Sequence, residues 1–115
     1  MQVPGEVNPR WELSAVQKRL EVDRRLPVLQ FQKVIGSTMP VISNLFASKT
    51  HLALALETTP EKVIPRFTDA QVNGLAPRNV SSGPVKDVVL AGDNVDLNVL
   101  PIVTHCEKDA GPYLS

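Results

Sequence analysis

The chain has 115 residues, 43% of them hydrophobic, and its 12 basic and 12 acidic side chains cancel to a net charge of zero. That length suits one domain of ordinary size, which would bury roughly 65% of its unfolded surface. The charge balance argues against a nucleic-acid footprint, since no basic run stands out and a single Trp and a single Tyr make no stacking platform. The lone Cys106 excludes an intramolecular disulfide and a multi-cysteine zinc site, and fits a reducing, cytoplasmic setting. No apolar run reaches the roughly 18 residues of a membrane span, and no secretory signal pattern opens the chain. Ten prolines, about twice the usual share, fall at segment borders and predict many short elements.

In chain order, Gln2 to Pro9 carries two prolines and a glycine and reads as extended at best, with a strand end at Glu6-Val7. Asn8 to Glu12 makes a helix start. Leu13, Val16 and Leu20 recur at i, i+3 and i+7, which predicts an amphipathic helix over roughly Glu12 to Asp23. Arg24 and Arg25 suit its negative end. Lys18, Arg19, Arg24 and Arg25 read as a solvated face, because a charge cluster alone is a weak sign of an anion site. Val28 to Val34 is strand-like, with Leu29 and Phe31 on one face. Gly36 to Pro40 is a hairpin-type loop. It lacks the phosphate-cradle pattern, and Val41 to Phe46 is the strand that returns.

Ser48 or Thr50 can cap a helix through Leu52 to Leu56, with His51 an exposed histidine in its first turn. Thr59 caps a second start, Pro60 takes the first helical position, and Val63, Ile64 and Phe67 form its apolar face. Pro65 conflicts with that helix unless the helix kinks or begins later. Val72 to Val80 is a loop. The last third is β-rich: Val85 to Leu90, then Val95 to Leu100 in near alternation, then Ile102 to Thr104. Tyr113-Leu114-Ser115 looks like the first residues of a further strand, so truncation is expected. The expected core is Leu13, Val16, Leu20, Leu29, Phe31, Val41, Leu45, Leu52, Leu56, Val89 and Leu97.

Four stretches line up in order and spacing with one family. They are Asn8 to Ala15, Gly36 to Val41 leading into Asn44-Leu45-Phe46, Ser82 to Val85 before Gly92 to Leu97, and Leu100 to His105 before Asp109 to Tyr113. Together they resemble the N-terminal region of the UbiD-like decarboxylases, the 3-octaprenyl-4-hydroxybenzoate carboxy-lyase family, over about Val7 to Ser115. The resemblance implies a carboxy-lyase: a reversible, non-oxidative decarboxylase of aromatic or α,β-unsaturated carboxylic acids. It implies prenylated FMN as cofactor, with a divalent metal (Mn or Mg) and K, and a homo-oligomer for the full-length enzyme. The family's catalytic arginine and glutamates, and its metal-holding asparagine, histidine and glutamate, correspond to positions downstream of Tyr113. No catalytic, cofactor-binding or metal residue is therefore assigned in this chain, and no cofactor is expected on it alone.

His105, Cys106 and Glu107 look like a site, but neighbours along a strand point to opposite faces and cannot converge without a turn. A nucleophilic thiol needs an activating base, and zinc needs further ligands. A structural role is expected for all three.

The expected fold is an α/β domain, a small mixed sheet with two to three flanking helices, treated as one N-terminal unit over 1–115 and trimmed at both ends. Its expected partner is the cofactor-binding domain of a parent enzyme. The alternative is a non-catalytic accessory subunit or interaction module derived from the same fold.

Overall fold

Leu29 and Phe31 share one face of the central strand and have no accessible surface at all. The structure is a computed structural model, and it describes residues 1–112. Strand β1 (Gln2–Val7) leads through helix α1 (Glu12–Val22) to strand β2 (Leu29–Val34), which pairs parallel to β1. Strand β3 (Val41–Ser43) then pairs antiparallel to β2, giving the order β1-β2-β3. Helices α2 (Lys49–Ala55) and α3 (Val63–Val72) follow. The small mixed sheet with flanking helices is the fold class expected from the sequence.

The core is where the helical and strand periodicities meet. Leu13 and Leu20 from α1 close over Leu29, Phe31 and Val34 of β2 and Val7 of β1, with Val3, Val16, Val41 and Val103 packed at the margin. At about 25 cal/mol per Å² of apolar surface, a fully buried side chain of this size contributes about 1.5–3 kcal/mol. Strand β1 is longer than expected. Its register slips between Val3 and Glu6, and the bulge takes up Pro4 and Gly5, which a regular ladder would not hold well.

Both ends of α1 are built locally. The Glu12 carboxylate reaches back to accept from the Asn8 N–H at 2.6 Å, and the Asn8 side chain accepts from the Arg10 N–H. At the far end, the Arg25 N–H donates to Leu20 and the Arg24 N–H to Glu21, with Arg24 at φ 56. That pair is the Schellman stop. Helix α2 ends the same way, with Glu57 at φ 50 and the Thr58 and Glu57 amides donating to Ala53 and Leu54.

Several expectations are corrected. Strand β3, expected to run to Phe46, ends at Ser43 because Asn44 turns left-handed at φ 66, and Leu45, expected in the core, is left 48% exposed. Asn44 is instead a polar junction, accepting from Gln17 Nε2 and donating to the Pro27 carbonyl. In α2 the buried residue is Ala53, while Leu52 and Leu56 are half-buried. Ser48 does cap that helix, accepting from the His51 N–H at 3.2 Å. Thr59 makes no such cap. A 3-10 turn at Pro60–Lys62 precedes α3, so Pro65 falls in the first turn, where its missing N–H has no helical partner. Of the expected α3 face only Val63 is buried; Ile64 and Phe67 face outward.

The largest correction concerns the last third. No strand forms among its described residues. Short 3-10 turns occupy Pro84–Lys86, Gly92–Asn94 and Leu97–Val99, and Thr104 makes one isolated bridge to Arg10. Val89 and Leu97, expected in the core, are 74% and 59% exposed. A β-prone run needs an adjacent edge to receive its N–H and C=O groups, and among the described residues no sheet edge pairs with it. The expected strand at 113–115 lies outside the described residues. The accessible surface is 9500 Å², against about 6,200 Å² for a compact chain of this mass. The radius of gyration is 17.9 Å, where about 13 Å is usual.

Candidate functional site

Residues 99–105 return to the start of α1 and are stitched there. The Trp11 N–H donates to the Thr104 carbonyl at 2.9 Å, and the Thr104 N–H donates to the Pro9 carbonyl at 3.1 Å. The Ser37 hydroxyl, in the loop after β2, donates to the Val99 carbonyl at 2.9 Å. That loop turns on Gly36 at φ 83, a conformation that favours glycine. Trp11 itself sits left-handed at φ 75, with the Arg10 guanidinium 4.6 Å from its ring centre.

Beside this stitching opens a cleft of about 630 Å³, with residues 105–107 as one wall. The other wall is the polar face of α1. Ser14, Gln17, Lys18 and Glu21 fall at i, i+3, i+4 and i+7, so they share a side of the helix. The first wall carries His105, Cys106 and Glu107. Sequence reasoning expected strand alternation to keep these three apart. The chain turns at 106–109 instead, and all three line the cleft, each exposed to solvent. The turn is held by Asp109, whose carboxylate accepts from the His105 and Ala110 amides.

The Ser14 hydroxyl lies 3.0 Å from His105 Nδ1. A hydroxyl beside an imidazole is the beginning of a nucleophile–base pair. Here both residues lie at the surface, and Lys18 is engaged with Glu21 at 2.9 Å in a solvent-exposed pair. Arg19 pairs likewise with Asp23 at 3.3 Å, so the basic cluster on α1 is a solvated face. Such pairs contribute about 0–1 kcal/mol.

His51 departs from its expected exposure. It is half-buried, and its Nδ1 has neither solvent contact nor a hydrogen-bond partner. Among the described residues, Glu61 is the group whose titration is clearly displaced. A hydrogen bond from its own backbone N–H and then one from the Thr59 hydroxyl hold its carboxyl below the ordinary glutamate range, against an opposing desolvation and with a lesser contribution from the field of Lys49. Neither residue lines the cleft.

Among the described residues no three His, Cys, Asp or Glu side chains stand together as metal ligands, and no polar or charged residue is buried to hold a phosphate out of water. What the cleft does is join distant segments. Two of the four family-like stretches meet there, Asn8 to Ala15 through Trp11 and Ser14 and Leu100 to His105 through His105, while Ser37 of a third bonds to Val99 outside the cleft. The order of those stretches along the sequence does not reveal which of them touch. Their polar residues, Ser14, Ser37 and Thr104, carried no periodic signal.

Two family profiles cover the chain. Residues 1–71 match the 3-octaprenyl-4-hydroxybenzoate carboxy-lyase N-terminal domain, and residues 78–115 match its Rift-related domain. The boundary falls just after α3. An uncharacterized protein in the cooM 5' region of Rhodospirillum rubrum is 35% identical over 118 residues, covering 98% of this chain and 24% of that protein. Anhydromevalonate phosphate decarboxylase of Methanosarcina mazei is 34% identical over 115 residues, covering 100% of this chain and 25% of its own. Among solved structures, an evolved dimeric form of the UbiD-class enzyme HmfF from Pelotomaculum thermopropionicum, in complex with prFMN, superposes with a TM-score of 0.83. It is 31% identical, and the match covers 97% of this chain and 26% of HmfF. HmfF in complex with FMN gives 0.82 at 30% identity. This chain thus spans about a quarter of the length of the relatives it matches. With the sheet, the stitched loop and both profiles in agreement, the chain belongs to the UbiD family of 3-octaprenyl-4-hydroxybenzoate carboxy-lyases.

Proposed function

We propose that residues 1–115 are the non-catalytic N-terminal part of a prenylated-FMN-dependent, non-oxidative decarboxylase acting on aromatic or α,β-unsaturated carboxylic acids. The observation that carries this is the match to HmfF, a structure in complex with prFMN, over 97% of this chain and only 26% of HmfF. In this reading the flavin, a divalent metal (Mn or Mg) and K belong to polypeptide outside residues 1–115. The cytoplasm is its compartment, and the full-length enzyme is a homo-oligomer. No residue of 1–115 is assigned a catalytic, cofactor-binding or metal role. The chain's work is structural: α1, β2 and the stitched segment 99–105 form a rigid block against which the cofactor-binding part packs, shaping one side of the active-site cleft.

The test is a flavin-binding and decarboxylation assay, with prenylated FMN supplied, on residues 1–115 and on the longest natural reading frame that contains them. Flavin absorbance reads binding and carbon dioxide release reads turnover. Binding and turnover by the longer chain alone is the expected result. Turnover by residues 1–115 alone would overturn the proposal and return His105, Cys106 and Glu107 to candidacy.

A further inference from the structure

We draw no further inference here: the strongest candidate, the groove between α2 and α3 lined by Leu56, Phe67 and Leu75, is an unpartnered apolar face, and nothing in the structure shows what covers it.

Discussion

Ser14 Oγ and His105 Nδ1 stand 3.0 Å apart across 91 residues of sequence. The contact marks where the last described segment rejoins the first helix, and the two backbone bonds between Thr104, Pro9 and Trp11 lie beside it. The backbone pair, whose donors and acceptors are set by the chain path, holds the junction. The side-chain pair is solvated and adds little.

That ranking predicts unequal effects. Thr104→Pro removes the N–H that donates to Pro9 and should lower the local opening free energy by about 1–2 kcal/mol. Amide exchange at Trp11 is the readout, and it should quicken about tenfold or more. Ser14→Ala or His105→Ala should change stability by less than about 1 kcal/mol. A larger effect from Ser14→Ala than from Thr104→Pro would reverse the assignment.

Burial orders the core substitutions. Phe31 has no exposed surface, so Phe31→Ala should cost about 3–5 kcal/mol in chemical denaturation. Leu52 is only half-buried, and Leu52→Ala should cost less than about 2 kcal/mol. Equal losses would mean that α2 packs more deeply than its exposure indicates.

Arg24 and Glu57 close two helices in the left-handed conformation that a side chain resists by about 1–2 kcal/mol. Glycine removes that strain but is more flexible when unfolded. Arg24→Gly and Glu57→Gly should therefore leave stability unchanged or raise it by up to about 1 kcal/mol. Arg24→Val should lower it, since a β-branched residue fits this region worst. Melting temperatures of the three variants decide the point.

Glu61 sets a direction for acid behaviour. Its folded carboxyl titrates below the ordinary glutamate range, so the folded state binds its proton less readily than the unfolded state does. Its stabilising contribution is present above the ordinary glutamate value and is lost as pH falls through the lower folded value. Carbon-detected NMR titration should find its midpoint below those of the other glutamates, and Thr59→Ala should move it upward. An unchanged midpoint in Thr59→Ala would remove the hydroxyl as a cause.

Ser48→Ala should cost about 1 kcal/mol, because the Ser48 hydroxyl accepts from the otherwise unpaired His51 N–H. Ser48→Asp should retain most of the stability. Helical circular dichroism and denaturation midpoints together separate a lost cap from a general loosening.

Local chemistry alone determined much of this protein. The i, i+3, i+7 spacing of Leu13, Val16 and Leu20 specified α1 and the shared face of Leu29 and Phe31 specified the central strand, while the order of four short stretches carried a resemblance to the family that the profiles show. Pro65 left a kink or a later helix start open, and the 3-10 turn before Val63 supplies the later start. Tertiary structure alone decided which apolar residues find a partner. Val63 is buried while Phe67, four residues on, is exposed, and Val103 joins the core while Val89 does not. It also decided that Asn44 would end β3 and that His105, Cys106 and Glu107 would share one cleft. Periodicity reports which residues share a face of one element. Burial depends on whether a second segment, distant in sequence, arrives to cover that face, and no single stretch of sequence contains that information.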